Sequence, residues 1–574
     1  MASHSKKTTP LGYSLKQKCL MAVLGALAPA FTLFSGVFEL YITNQQELDF
    51  ALADVLGVVV LFCLAVMGVF LAILLPLRGK AFDVALTVLA GLILMCFLQG
   101  NFLNIGVNSL AADGVGMKVH PAWEVGNAVL WVAVLAGFIC AVLLPKKKEA
   151  KEWLRMGIAF VFILVIGVQL VSFAVNSLTT DVYAPKNIED RYILTEKDMF
   201  EVSAKDNILI FVLDSYDADY VDAVVEQDPD FFEPLDGFTY YPDNLSWYTR
   251  TFPAATSMIT GVKNDFSKSA SEYFNQAYGQ SVFLKDLKQN NYQINLYIDD
   301  YYAYRGDTGA LQTVADNVSK VKEGYTVEDR GLLMIRMVGV ATYRYMPIPV
   351  KRVFDLSTES FEGFVKYRGM DAPMYVSDDV EMFRRLKENG LTVQQEKNNY
   401  MFIHMEGCHT PYRMDEDGNE TAIGTAESTT MGCMKLVYHY IQELKRLGVY
   451  ENATIVITGD HPGRFKDYEN VPHPTRTALF FKPKGSVDTP LAYDQDPVAQ
   501  DLLLPSLVAS AGLQMSTTYG STYWDTAMDE RNYYFLKNTG ATDYRVVEYA
   551  ISGDGRNFDN WKIIKETDIG FLYE

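Results

Sequence analysis

Long apolar runs set the first third of this 574-residue chain apart from the rest. A helix needs about 20 mostly apolar residues to cross a bilayer. Five stretches meet that length, and they lie near 19–42, 53–76, 82–103, 123–144 and 153–176. The pattern predicts a transmembrane domain of five helices over residues 1–176. Because four further spans follow the first one, we do not expect that span to be a removable signal peptide.

Lysines and arginines are distributed unevenly among the short loops that join these spans. They precede the first span and occur between the second and third and between the fourth and fifth, whereas loops 43–52 and 104–122 together carry only Lys118. Basic loops stay in the cytoplasm. The sequence therefore predicts a multi-pass protein of the cell membrane, with a cytoplasmic N-terminus and an extracellular part after residue 176.

The extracellular part has the pattern of an α/β domain. A polar stretch over 177–206 predicts a linker, or a helix that lies on the surface. After it, short apolar runs typical of buried parallel strands alternate with helical patterns. The runs lie at 207–213, 293–298, 399–405, 453–458 and 477–482, and the helical patterns at 282–289, 380–389 and 431–447. We expect a domain over 207–574 with a mostly parallel central sheet and helices on both faces, closed by short strands after residue 533.

Polar residues follow three of these strands. Asp214 comes after the first, Glu406 and His409 after the third, and Asp460 and His461 after the fourth. In such sheets ligands bind beyond the carboxyl ends of the strands. Asp214 by itself is equally well read as a metal ligand or as a helix N-cap, although Asp217 or Asp219 could be the cap instead.

Thr251 is the candidate nucleophile. It opens the segment Thr251–Gly261, in which Pro253 and small residues predict the first turn of a helix, a place suited to binding phosphate. A hydroxyl, two carboxylates and an imidazole are the groups that one divalent metal needs to activate such a hydroxyl at neutral pH. Asp460 and His461, on a turn bracketed by glycines, are the most specific part of this set.

Further basic groups lie in loops near these positions. His409, His473 and Arg476 could bind substrate oxygens, and the histidines could act as general acid and base. Cys408 and Cys433 also lie in the extracellular part, where a disulfide between them is one of two open alternatives.

The formal net charge of −20 narrows the choice of partners. An acidic chain is not expected to bind nucleic acid or to hold anionic lipid on a broad basic surface. Anionic substrates must be held locally, by a metal and a few basic side chains.

Taken together, the strand that ends at Asp214, the Thr-x-Pro helix start, the Gly-x-His-x-Pro-Tyr loop at 407–412 and the Thr-Gly-Asp-His turn at 458–461 resemble the sulfatase-like branch of the alkaline phosphatase superfamily. The five amino-terminal spans make the chain most similar to lipoteichoic acid synthases and related phosphoglycerol transferases. Membrane phosphoethanolamine transferases share this layout. The resemblance implies that Asp214, Thr251, Asp460 and His461 hold the metal, with Thr251 as nucleophile.

The same resemblance implies a substrate contact for His409, and a second zinc or a phosphate contact for His473. Lipoteichoic acid synthases place His, Trp and Arg after the strand near 293–298, where this chain offers only an aromatic residue and an arginine, Tyr304 and Arg305. True sulfatases need a Cys or Ser followed by an Arg four residues later. This chain has Thr251 and Ala255 there, so sulfate-ester hydrolysis is not expected.

The sequence thus predicts a metal-dependent membrane transferase. Its ligand types suit Mn²⁺, Mg²⁺ or Zn²⁺, and the resemblance to lipoteichoic acid synthases implies Mn²⁺ first. The transferase would move a phospholipid head group, phosphoglycerol first, through a phospho-threonine to a cell-surface glycan or polyol-phosphate acceptor. Phosphoethanolamine transfer is the first alternative and an extracellular phosphodiesterase the second. A channel or transporter is disfavoured because the spans carry almost no charge away from their ends.

Overall fold

A computed structural model describes most of the chain in two compact units. The described residues are 11–45, 48–105, 107, 119–143, 147–186, 191–299, 310–351, 353–354, 361, 363–463, 476–525, 527–538 and 544–570. The first unit comprises 1–187 together with 325–366, and the second comprises 188–324 and 367–574.

The helices are numbered here in chain order. They are α1 Leu15–Thr43, α2 Leu52–Leu74, α3 Lys80–Leu98, α4 Pro121–Leu143, α5 Lys148–Thr179, α6 Ala218–Gln227, α7 Thr251–Thr260, α8 Ala270–Gln280, α9 Val282–Gln289, α10 Arg330–Tyr345, α11 Ile348–Lys351, α12 Asp379–Asn389, α13 Ala426–Arg446 and α14 Leu503–Ala511. A π-helical turn, Gln99–Leu103, extends α3.

The strands are numbered in the same way. They are β1 Tyr192–Leu194, β2 Glu201–Ser203, β3 Asn207–Leu213, β4 Thr239–Tyr240, β5 Asn244–Leu245, β6 Tyr292–Tyr297, β7 Val318–Lys320, β8 Tyr325–Val327, β9 Val365–Tyr367, β10 Thr392–Gln394, β11 Asn398–Met405, β12 Ala453–Thr458, β13 Leu479–Lys482, β14 Ala492–Tyr493, β15 Val498–Ala499, β16 Glu530–Asn538, β17 Tyr544–Ser552 and β18 Trp561–Asp568.

The first unit contains the five apolar helices that the sequence predicts. By length and composition α1, α2, α3 with its π-turn, α4 and α5 can each cross a membrane. Leu86 and Ala90 of α3 are buried with Ile158, Phe162 and Val165 of α5 in one apolar core. The five predicted apolar helices are confirmed, and their ends differ from the predicted ones by a few residues.

Residues 325–366 belong to the first unit, although the sequence predicts them to be part of one domain over 207–574. The reason is the packing of α10. Tyr345 lies so close to α1 and to the π-turn that a Cβ added to Gly36 would come within 2.8 Å of its ring, and one added to Gly100 within 2.6 Å. The guanidinium of Arg344 pairs with Glu39 at 2.6 Å. The predicted linker 177–206 also divides, because β1 and β2 belong to the second unit.

The second unit is built on a seven-stranded sheet with the strand order β14-β4-β13-β12-β3-β11-β6. Strands β12, β3, β11 and β6 are mutually parallel, whereas β13 runs antiparallel to its two neighbours. The sheet is therefore mostly parallel, as predicted. Its central strand β3 is buried over its whole length.

Both faces of this sheet are covered. Leu209, Phe211 and Leu213 of β3 point into one apolar core, which includes residues of α6, α12 and α13. The alternate residues Ile208, Ile210 and Val212 point into a second core with residues of α7, α8, α9 and α14. This burial on both sides explains why the strand reads as a continuous apolar run.

The chain closes with the antiparallel strands β16, β17 and β18. Tyr549 and Trp561 pack together here, with their rings 5.6 Å apart in a buried cluster. The closing strands predicted after residue 533 are therefore present.

A valine at Gly36 should loosen α10 from the first unit. The added side chain would overlap the ring of Tyr345, and overpacking of this kind typically costs about 1–3 kcal/mol. We expect a lower melting temperature in detergent for Gly36→Val than for Gly57→Val, since Gly57 of α2 has open space around it. Equal melting temperatures for the two variants would contradict this packing.

Candidate active site

The parallel register of the sheet brings the predicted site residues to one edge. Leu213 pairs with Met405, and Val212 pairs with Thr458, so β3, β11 and β12 end side by side. The residues that follow these strands therefore emerge together.

Four predicted metal ligands meet at this edge. The Thr251 hydroxyl donates to Asp214 Oδ2 at 3.2 Å and lies 3.4 Å from His461 Nε2. That nitrogen is 3.4 Å from Asp214 Oδ1 and 3.6 Å from Asp460 Oδ2. All four side chains are buried, so two carboxylates, an imidazole and a hydroxyl share one small enclosed space.

Backbone contacts fix the orientation of these ligands. Asp460 Oδ1 accepts from the amides of Ser215 and His461, at 3.2 and 2.9 Å. His461 Nδ1 is 2.9 Å from the carbonyl of Pro462. Since a carbonyl can only accept, Nδ1 carries the proton and Nε2 presents its lone pair to the cluster.

The cluster fits a divalent cation. Asp460 Oδ2 is buried and makes no hydrogen bond of regular geometry among the described residues; His404 Nε2 lies 3.5 Å from it and His461 Nε2 3.6 Å. Burial acts to raise the pKa of Asp460, but His461 and His404 hold this pKa well below its usual range, so the group is ionised. A buried anionic oxygen needs a positive partner. Oxygen ligands with one imidazole suit Mn²⁺, Mg²⁺ or Zn²⁺.

The helix that follows β3 is capped by Asp217 and not by Asp214. The Asp217 side chain caps α6 by accepting from the amide of Asp219 at 2.9 Å, and it also accepts from the amide of Gly463 at 3.0 Å. Burial raises its pKa to about 8. Asp217 therefore performs the capping and supports the turn that carries His461, while the Asp214 carboxylate faces the cluster.

The start of α7 departs from a regular helix. Phe252 has the extended dihedral angles φ −94° and ψ 123°, and the peptide bond between Phe252 and Pro253 is cis. Thr251 thus precedes the first regular turn, and its hydroxyl points to Asp214.

The loop that carries His409 is packed against the end of β3. The buried carboxylate of Asp379 accepts from the amides of Glu406 and Gly407, at 3.1 and 2.9 Å. The amide of Cys408 donates to the carbonyl of Asp214 at 2.8 Å. His409, which is half-buried, is therefore the residue directly after the one that contacts the Asp214 backbone.

Cys408 and Cys433 are free thiols. The Cys408 sulfur lies 3.1 Å from the hydroxyl of Thr430, and the Cys433 sulfur lies 3.5 Å from Asp379 Oδ2. Burial raises the pKa of both thiols. Of the two alternatives left open by the sequence, the structure has the unpaired one.

Arg476 was predicted to bind substrate, but the structure gives its guanidinium other partners. It donates to the carbonyl of Pro242 at 2.8 Å and to Asp219 at 2.7 Å, and Asp222 lies 3.6 Å away. With only 4% of the residue exposed, these contacts give it a structural role. His473, Tyr304 and Arg305 lie outside the described residues, so their roles stay predictions.

Sequence reasoning missed His404, the penultimate residue of β11. Its Nε2 lies 3.5 Å from Asp460 Oδ2, behind the ligand cluster. Burial opposes its protonation, but the Asp460 carboxylate raises its pKa. A histidine inside an otherwise apolar strand, one position from the strand end, was the signal that could have identified it.

No family model and no curated protein matches the chain. Among solved structures it is similar to a protein of the alkaline phosphatase superfamily from Vibrio parahaemolyticus, with 11% identity and a TM-score of 0.38, over 71% of this chain and 92% of the other. It is also similar to the lipoteichoic acid synthase LtaP from Listeria monocytogenes, with 13% identity and a TM-score of 0.33, over 66% and 92%.

A third solved structure, the phosphonate monoester hydrolase SpPMH from Silicibacter pomeroyi, has 12% identity and a TM-score of 0.35, over 63% of this chain and 89% of the hydrolase. At such identities and TM-scores, these likenesses do not assign this chain a family or an activity.

Gly407→Ala should damage the site. Gly407 has a φ of +61°, and an added Cβ would lie 2.3 Å from the Asp214 amide nitrogen. We expect the variant to lose metal affinity in a calorimetric titration and to melt at a lower temperature. Gly448→Ala is the matched control, because Gly448 has a φ of +71° but open space around it. Wild-type metal affinity in Gly407→Ala would contradict the packing of this loop.

His404→Phe should weaken metal binding without removing a ligand. Loss of a group that orients a metal ligand typically lowers metal affinity about 10–100-fold. His404→Gln, which restores an N–H donor, should recover part of the affinity. His439→Phe changes a half-buried histidine of α13 beside Phe383 and should leave the affinity unchanged. Equal metal affinities for His404→Phe and His439→Phe would contradict this role of His404.

Proposed function

We propose that this chain is a metal-dependent membrane transferase that moves a phospholipid-derived head group, phosphoglycerol first, through a phospho-threonine at Thr251. The acceptor would be a cell-surface glycan or a polyol phosphate. The observation that supports the proposal is the buried convergence of Thr251 with Asp214, Asp460 and His461. A nucleophilic hydroxyl inside a metal-ligand set is suited to transfer at phosphorus.

Asp214, Asp460, His461 and the Thr251 hydroxyl would hold the cation, with Mn²⁺ as the first choice. When bound, the metal supplies charge stabilisation and lowers the pKa of the hydroxyl. The remaining chemistry is assigned to the chain's own groups.

In the first step Thr251 Oγ forms a bond to phosphorus, while the bond from phosphorus to the oxygen of diacylglycerol breaks. The threonine proton leaves with diacylglycerol, which departs as the neutral alcohol. Thr251 is the first residue of α7, and a helix amino terminus would favour negative charge on a phosphoryl group bound there.

In the second step an acceptor hydroxyl attacks the phosphorus of the phospho-threonine, the bond from phosphorus to Thr251 Oγ breaks, and the proton of the acceptor returns to Thr251 Oγ. His409 is the described candidate for handling the proton of the acceptor. The position of its loop against the Asp214 backbone supports this role. His473 remains a further candidate outside the described residues.

The five apolar helices favour transfer from a membrane lipid over hydrolysis of a soluble ester. A chain anchored by them keeps its site near a bilayer, where a lipid donor is concentrated. The positive-inside pattern supports an extracellular site, and so an acceptor on the cell surface.

The test is to incubate the full-length protein with phosphatidylglycerol vesicles and Mn²⁺, without an acceptor, and to weigh the peptide that contains Thr251. We expect a glycerophosphate adduct on Thr251 and release of diacylglycerol. Thr251→Ala should lower diacylglycerol release about 10³-fold or more, whereas Thr251→Ser keeps a hydroxyl and should still form an adduct.

Three outcomes distinguish the alternatives. An adduct formed only with phosphatidylethanolamine would replace phosphoglycerol by phosphoethanolamine. Free glycerophosphate without an adduct would indicate a phosphodiesterase. Undiminished diacylglycerol release by Thr251→Ala would contradict the proposed mechanism.

A chelator that removes the divalent metal should suppress diacylglycerol release by the wild-type protein.

A further inference from the structure

Helix α10 and the short helix α11 come from the chain after the fifth span, yet they pack into the first unit. Ile348 at the start of α11 donates its amide to Asn127 of α4 at 3.0 Å. The Asn104 side chain, beyond the π-turn, donates to the carbonyl of Arg344 at 3.0 Å. The two helices are therefore fixed to several spans at once.

All these contacts lie at one end of the five helices. Glu39, which pairs with Arg344, is near the end of α1, and Asn127 is near the start of α4. Asp54 at the start of α2 accepts from the Tyr325 hydroxyl at 2.6 Å. This is the end away from the basic loops, so it is the end predicted to face outside.

The depth of this packing matches an interfacial helix. Gly36, which contacts Tyr345, precedes the end of α1 at Thr43 by seven residues. At 1.5 Å per residue this is about 10 Å below the helix end. Amphipathic helices in membrane interfaces bury an apolar face to about this depth.

The other side of these helices is apolar and exposed. Leu332 and Ile335, one turn apart on α10, are 41% and 57% exposed, and Val350 and Val353 are 40% and 78% exposed. Leu333, Met337, Val340 and Ala341 face inward instead. An apolar strip outside the packed face is suited to contact with acyl chains.

The charge of α10 and α11 indicates which kind of membrane surface they bind. Between Asp329 and Asp355 the chain contains the basic residues Arg330, Arg336, Arg344, Lys351 and Arg352 and no acidic residue, although the net charge is −20. Arg344 pairs with Glu39, and Lys351 donates to the carbonyls of Tyr343 and Arg344, whereas Arg330 and Arg336 are exposed. A second copy of this positive surface would be repelled, but an anionic membrane surface would be attracted.

We infer that α10 and α11 form an interfacial anchor that seats Leu332, Ile335 and Val350 in the outer leaflet and binds anionic phospholipid head groups through Arg330 and Arg336. This role is separate from the transfer reaction and does not depend on Thr251. The two helices thus provide a local basic surface on a chain whose net charge is negative.

The test uses the full-length Thr251→Ala protein in phosphatidylcholine vesicles with or without phosphatidylserine, an anionic lipid that is not the proposed donor. With the exposed Cys19 and Cys140 replaced by serine, a fluorophore on Ile335→Cys should be quenched by lipid-borne quenchers. The matched control is Ile564→Cys on β18, because Ile564 is a similarly exposed isoleucine at 54%. Quenching at Ile335 that does not exceed quenching at Ile564 would overturn the anchor.

The charge component is tested with Arg336→Glu, compared with Lys562→Glu, which changes an exposed lysine of β18. Native mass spectrometry of the protein from mixed vesicles counts the retained phosphatidylserine molecules. Two units of charge near a membrane surface should lower the preference for anionic lipid about thirtyfold in Arg336→Glu and leave it unchanged in Lys562→Glu. Equal retention in both variants would overturn the anionic preference. Neither result would alter the proposed reaction at Thr251.

Discussion

The structure depends on placing two buried carboxylates next to each other at the end of a parallel sheet. Asp214 and Asp460 offer oxygens that, with His461, lie within 4.8 Å of one another. Like charges at this distance in a buried site repel unless a positive group lies among them. Much of the second unit can be understood as the support for this arrangement. Amide donors hold Asp460 Oδ1, Asp217 holds the turn beyond His461, and Asp379 holds the neighbouring loop.

Much of this could be predicted from the sequence, because parallel strands leave a strong pattern. Each buried strand is an apolar run, and the chemistry follows where the run ends, as at Asp214 and Asp460. The five apolar helices are equally recognisable, because about 20 consecutive apolar residues are typical of a helix that crosses a bilayer. The side chains that meet at this edge of the sheet were therefore recognisable from their positions in the sequence.

The sequence could not show which side chains contact each other when they are far apart in the chain. Arg476 looks like a substrate-binding residue until Asp219 and the Pro242 carbonyl are seen to occupy its guanidinium. His404 is hidden inside an apolar strand, and only the register of β11 shows that it lies beside Asp460. The packing of α10 against Gly36 and Gly100 joins residues that are far apart in the chain, so no local sequence pattern predicts it.

The central claim is that one cation is held by Asp214, Thr251, Asp460 and His461. The most direct measurement is the metal content of the purified full-length protein after loading with Mn²⁺ and removal of excess metal, compared between the wild type and Asp460→Asn. We predict close to one equivalent of metal per chain in the wild type and little in the variant. A metal-free wild type, or the same content in both proteins, would contradict it.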